Sequence, residues 1–191
     1  MGDLASATGW IAMFANDSGQ IIGTATTAVG VQIAVLWNPL PGGDRWKIMQ
    51  LPIPADYPSA EPLDINNKGE IVGDVAVPPS FWPSFPALWR PVEHSGKAFS
   101  VTVLPTLGGF LQGAGDGEGI NDAGDIVGGS YDADWNYFAT RWSTKDLNSA
   151  RLLLSVPGGW SWATKVNDNG IATGSYGNAT VPENTVVWKL R

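Results

Sequence analysis

The apolar positions of this chain do not recur with a helical period. They fall in runs of three to five residues bounded by glycine or proline, such as Ala34-Val35-Leu36-Trp37 and Leu152-Leu153-Leu154. Short apolar runs between turn formers predict β-strands, and no helix is predicted. The runs also repeat. Four segments align: Ala15-Asn16-Asp17-Ser18-Gly19-Gln20-Ile21-Ile22-Gly23, Ile65-Asn66-Asn67-Lys68-Gly69-Glu70-Ile71-Val72-Gly73, Ile120-Asn121-Asp122-Ala123-Gly124-Asp125-Ile126-Val127-Gly128 and Val166-Asn167-Asp168-Asn169-Gly170-Ile171-Ala172-Thr173-Gly174. The Asn residues are 50, 55 and 46 residues apart. A tryptophan follows each of them, Trp37, Trp89, Trp142 and Trp188, at offsets of 21, 23, 21 and 21. A third marker is an apolar strand ending in Leu-Pro or Val-Pro, at Pro52, Pro105 and Pro157.

Each unit therefore reads as four short strands. The first ends at the Asn, and the Asn-x-x-Gly segment is a turn whose glycine supplies a left-handed position. The second strand is the Ile-Val-Gly segment, the third carries the tryptophan and the fourth carries the Leu-Pro end. Units of this size with four strands each predict propeller blades. The fourth unit has no fourth strand of its own, and the stretch Gly2-Asp3-Leu4-Ala5-Ser6 lies where such a strand would lie. The expected fold is thus all-β: a four-bladed β-propeller of four-stranded antiparallel blades, closed by the N-terminal strand completing the last blade. Sixteen strands are expected in one repeat domain over residues 1–191, with units at 8–52, 57–105, 110–157 and 160–191 plus 1–7. Such closure would remove two open sheet edges.

Composition supports a folded, turn-rich domain. The 191 residues include 24 Gly and 14 Pro, 43% are hydrophobic and 15% are charged. That balance is the reverse of a disordered chain's. The absence of cysteine excludes disulfides, thiolate nucleophiles and Cys-ligated zinc. His94 is the one histidine, so no His-based metal cluster can form within one chain. A net charge of −7 argues against nucleic acid and anionic membrane as partners. No apolar run approaches the ~20 residues of a membrane span. The start, Met1-Gly2-Asp3-Leu4, does not read as a signal peptide.

The repeats resemble the HAF family of extracellular repeats. The family pattern runs Leu-Gly-x-Leu-Gly-Gly, a short gap, Ile-Asn-x-x-Gly-x-Ile-Val-Gly, then Ala-Phe-Leu-Trp. The nearest match runs Leu104-Pro105-Thr106-Leu107-Gly108-Gly109, then Ile120-Asn121-Asp122-Ala123-Gly124-Asp125-Ile126-Val127-Gly128. The Leu-Trp part is kept in Ala34-Val35-Leu36-Trp37 and Ala87-Leu88-Trp89. It degrades to Ala139-Thr140-Arg141-Trp142 and Thr185-Val186-Val187-Trp188. The family's usual His in this motif is absent from all four. The resemblance implies a secreted or surface-exposed β protein. It carries no catalytic residues to transfer.

Asn16, Asn66, Asn121 and Asn167 read as scaffold, because an Asn beside a turn hydrogen-bonds local backbone. Trp37, Trp89, Trp142 and Trp188 read as core between blades. The acidic stretch Asp116–Asp125 fits no EF-hand spacing, so neither metal nor cofactor is expected. Asn16-Asp17-Ser18 and Asn178-Ala179-Thr180 match the glycosylation sequon. His94 lies in a polar loop and reads as solvated. The remaining aromatics are the more informative set. Trp10, Tyr57, Phe110 and Trp160 fall between fourth and first strands, and Trp82, Trp135 and Tyr137 between second and third strands. Alternation of loops would place all seven on one end of the molecule. These residues are the candidate ligand-binding set. The function they suggest is a non-enzymatic extracellular binding or adhesion module for a glycan or protein surface. The alternatives are a self-assembling structural subunit of a filament, surface layer or virion, and a glycan-acting hydrolase.

Overall fold

In a computed structural model the described residues are 4–77, 83–92, 98–108, 114–154, 156–180 and 182–190. They form fifteen strands and one 3-10 turn. The first sheet takes β1 (Ala7–Ala15), β2 (Ile21–Thr27), β3 (Gln32–Pro39) and β4 (Trp46–Gln50) in sequence order. The second takes β5 (Ser59–Ile65), β6 (Ile71–Ala76), β7 (Ser84–Pro91) and β8 (Phe99–Val103). The third takes β9 (Gly115–Ile120), β10 (Asp125–Tyr131), β11 (Tyr137–Ser143) and β12 (Asp146–Leu154). The fourth has three strands, β13 (Gly159–Val166), β14 (Ile171–Asn178) and β15 (Asn184–Lys189). All pairings are antiparallel between sequence neighbours.

The first strand of each sheet packs on the middle strands of the sheet before it: β5 on β2 and β3, β9 on β6 and β7, β13 on β10 and β11. Adjacent positions in the second strand alternate between the two faces. Ile71, Ile126 and Ala172 face the preceding sheet, whereas Ile22, Val72 and Val127 face the following one. Trp89 and Trp142 fill the first and second seams. Each is almost wholly buried, and each indole N–H donates to a proline carbonyl of the preceding unit, Pro52 at 2.7 Å and Pro105 at 2.6 Å.

The Asn turns build a second layer of connection. Asn16 Oδ1 accepts from the Ser18 and Gln20 amides, and its Nδ2 donates to Gln20 Oε1 and to the Asn66 carbonyl. Asn66 does the same with Glu70 and the Asn121 carbonyl, and Asn121 with Asp125 and the Asn167 carbonyl. The next backbone amide also crosses each seam, from Asp17 to Asn67, from Asn67 to Asp122 and from Asp122 to Asp168. Gly19, Gly69, Gly124 and Gly170 adopt φ of 74°, 75°, 84° and 70° in these turns, where a side chain would be strained.

The closed four-bladed propeller expected from the sequence is not formed. The described chain makes four separate antiparallel sheets, and no strand pairing joins the fourth to the first. The described part of the N-terminal stretch does not complete the last sheet. Leu4–Ser6 is a 3-10 turn, and Leu4 and Ala7 pack on Ala25, Ile33 and Val35 of the first sheet. Two substitutions in the fourth unit give the physical reason. Ile171 stands where Gln20, Glu70 and Asp125 accept from their Asn, and the side-chain relay ends at Asn167. Thr173 stands where Ile22, Val72 and Val127 face the next sheet, and it is exposed. Closing on the first sheet would bury a hydroxyl-bearing face with little apolar gain.

Candidate functional site

The strongest local anomaly lies between β10 and β11. Asp132 Oδ1 accepts from the Asp134 and Asn136 amides, both at 2.9 Å. The Trp135 amide donates to the Asp132 carbonyl, and the Asp132 amide to the Asn136 carbonyl. This is the hydrogen-bond pattern of the Asn16, Asn66 and Asn167 turns, but the left-handed glycine position is held by Trp135. Its φ of 63° makes it the one non-glycine residue with positive φ among the described residues. A bulky residue there costs of order 1 kcal/mol relative to glycine. The indole is nevertheless 67% exposed, so burial does not offset that cost.

The ring stands on a built aromatic base. Trp135 meets Tyr131 at 5.9 Å between centroids, and Tyr131 meets Tyr137 edge-on at 4.9 Å. Tyr137 lies across Gly129, where a Cβ would come within 2.5 Å of the phenol ring, so a glycine is needed under it. The Tyr137 hydroxyl donates to Asp116 Oδ2 at 2.6 Å, while Ser84 Oγ donates to Asp116 Oδ1 at 2.6 Å. Burial, reinforced by the Asp116 charge, raises the phenol above its ordinary value and keeps it a donor.

Behind this base sit carboxylates from two sheets. Asp74 on β6 is buried, with Oδ1 accepting from the Gly117 amide at 3.0 Å. Burial first, then the Asp116 charge, pushes its carboxyl well above the usual range against that hydrogen bond. Glu118 is pushed up to about 7 by burial and by Asp116, with Lys165 opposing. Burial also raises Glu61. Lys165 reaches Asp64 at 3.3 Å, the Glu118 carbonyl at 3.3 Å and the Phe14 ring at 4.4 Å, so it touches elements of the other three sheets. The chemical effect of this arrangement is to fix Tyr137, and through it the Tyr131–Trp135 pair, from behind.

The five candidate aromatics among the described residues do not form one surface. Trp135 and Tyr137 come together, with Tyr131 added. Tyr57 packs on Phe85 at 5.2 Å against the first seam. Trp10 lies within β1 and meets Trp37 edge-on at 6.4 Å. Trp160 lies within β13, over Gly177. Trp82, Phe110 and His94 lie outside the described residues. Sequence reasoning did not single out Tyr131 or Asp132. The signal was present: Asp132-Ala133-Asp134-Trp135-Asn136 follows the spacing of Asn16-Asp17-Ser18-Gly19-Gln20. Asp125 of the acidic stretch pairs with Arg141, and Asn178 of the second sequon closes β14. The four Asn turns surround a hollow of about 250 Å³.

No family model matches the chain, and neither the curated proteins nor the solved structures contain a significant match.

Proposed function

We propose that the chain is a non-enzymatic binding or adhesion module, acting outside the cell, that receives a glycan or protein surface on the Trp135 platform. One observation carries this reading: an indole held in a left-handed turn position that glycine fills in four sibling turns, with most of its surface in water. A residue that costs folding energy and gains little burial marks a functional constraint. A flat exposed ring backed by two tyrosines suits stacking on a sugar ring or an apolar side chain. Asp116, Asp132 and Asp134 beside it, in a chain of net charge −7, select against anionic ligands.

The test is Trp135→Gly, with glycan-array binding and melting read together. Stability is expected to hold or rise by ~0.5–1 kcal/mol as the left-handed strain is relieved. Binding is expected to weaken by ~2 kcal/mol or more, as at an aromatic hot spot. A variant that melts much earlier than the wild type would make Trp135 a structural plug and remove the basis of the reading.

A further inference from the structure

The third sheet departs from the first two at one cross-strand pair. In those two sheets the residue before the repeat's tryptophan is a buried leucine, Leu36 and Leu88. Met49 and Thr102 stand directly opposite them on the outer strand. The same pair in the third sheet is Arg141 on β11 and Arg151 on β12. Like charges directly opposite each other on antiparallel strands, with Cβ atoms about 4.5–5.5 Å apart, destabilise the pairing.

Only one of the two arginines is answered locally. The Arg141 guanidinium bonds Asp125 Oδ1 at 2.5 Å and the Leu190 carbonyl at 2.7 Å, and its Nε is buried without a hydrogen-bond partner. Arg151 is exposed, as is Lys145 in the β11–β12 turn, and neither makes an ion pair among the described residues. All three cations line one hollow of about 230 Å³. Ser143 lines it too. Its Oγ accepts from the Lys145 amide at 3.3 Å, which leaves the hydroxyl hydrogen to donate. Asp146 also lines the hollow, but its carboxylate already accepts from Ser149 Oγ at 2.6 Å and the Asn148 amide at 3.2 Å, and Arg151 acts on it only through space. Three cations against the two carboxylates of Asp125 and Asp146 leave the hollow positive in a chain of net charge −7.

We propose that this hollow is an oxyanion site for a phosphate or sulfate group, free or carried as a sugar ester. Arg151 and Lys145 supply charge-assisted bonds, the strongest kind a protein offers such a group. Ser143 adds a neutral donor, and Arg141 adds charge from behind. A doubly negative guest offsets the repulsion between the paired arginines, which nothing else in the sheet does for Arg151. The hollow is smaller than the ~300–1,000 Å³ of pockets for drug-sized ligands, so it suits a compact group and not a whole oligosaccharide. The site is independent of the Trp135 platform, which lies beyond the other end of β11.

The test is an amide-shift titration of the full chain with inorganic phosphate, inorganic sulfate, glucose 6-phosphate and glucose, with sodium chloride at equal ionic strength as the control. Saturable shifts within residues 141–151 are expected from the first three and not from glucose. A tighter glucose 6-phosphate than inorganic phosphate makes the ester the bound form, and equal or weaker binding makes it the free ion. Arg151→Met places there the residue of the first sheet, and it should weaken phosphate binding by ~10-fold or more, as the loss of a charged hydrogen bond does. It should melt no earlier than the wild type in anion-free buffer, because a like-charge pair is removed. Lys145→Ala should weaken binding in the same direction, and Trp135→Gly should leave it unchanged. Shifts no larger than those from sodium chloride overturn the proposal, as does saturation by glucose. So does an Arg151→Met variant that binds phosphate as tightly as the wild type, or one that melts well below it, since Arg151 would then hold the strand and not a ligand.

Discussion

The two middle sheets and the two end sheets carry the same repeat and do different things with it. Trp89 and Trp142 are sealed in seams, while Trp37 and Trp188 are only half-buried. Asn66 and Asn121 are buried, Asn16 is half-buried and Asn167 is exposed. The local turn is the same in all four cases, so the difference comes from the neighbours. Each unit is stabilised by its own folding and by its packing on adjacent units. The apolar seams join the first sheet to the second, the second to the third and the third to the fourth, so each middle sheet borders two of them and each end sheet one. Repeat position therefore fixes conformation, whereas the number of seams a sheet borders fixes energy.

The sharpest break of that comparison is the tryptophan series. Trp89→Ala and Trp142→Ala should each destabilise by ~3–5 kcal/mol, since each opens a cavity and orphans a proline carbonyl. Trp37→Ala and Trp188→Ala should cost ~1–2 kcal/mol, in line with ordinary partly buried changes. Urea midpoints of the four variants decide it, and equal losses would mean that the end sheets are as enclosed as the middle ones.

The asparagine series is the next step down. Asn66→Ala and Asn121→Ala each remove a buried side chain that bonds both its own turn and the next unit, for ~2–3 kcal/mol. Asn167→Ala keeps every seam intact and should cost under ~1 kcal/mol. Restoring an acceptor with Ile171→Glu tests the end unit from the other side: it should leave the melting temperature nearly unchanged, because no following carbonyl is there to complete the relay.

The smallest effect separates the middle seam from the rest by pH. Glu118, Asp74 and Glu61 have folded-state values raised above those of an unfolded chain. The folded protein then binds more protons than the unfolded one between roughly the ordinary carboxylate value and about 7. Stability should fall as pH rises through that window and level off above it. A thermal scan should show a higher melting temperature near the acid end of the window than at pH 8, by about 2–4 °C for each kcal/mol involved. Glu118→Gln should flatten the slope. General acidic repulsion would give the same sign, and an unchanged slope in the variant would assign the effect to net charge rather than to the seam.

Much of the fold was legible because it is written in local chemistry. Asn-x-x-Gly dictates a turn, a glycine permits the left-handed residue, and short apolar runs bounded by glycine or proline dictate strands. Four copies of that writing determine an all-β chain with four like units. Trp135 was legible only as an excess aromatic, since its strain becomes visible once Asp132 is seen to build the same turn.

Whether the four units close was decided elsewhere. Closure requires the last sheet's outward face to match the first sheet's, and that depends on single residues whose direction is known only after folding. Thr173 and Ile171 look like ordinary drift within a repeat until the seams show which side each one faces. The N-terminal stretch likewise resembled a missing strand, yet Leu4 packs on Ala25, Ile33 and Val35 of the first sheet. The sequence by itself determined the turn, the strand and the count of units, because those follow from φ, side-chain direction and spacing. Only the tertiary structure decided which faces meet, because burial is a property of pairs of surfaces and not of any one segment.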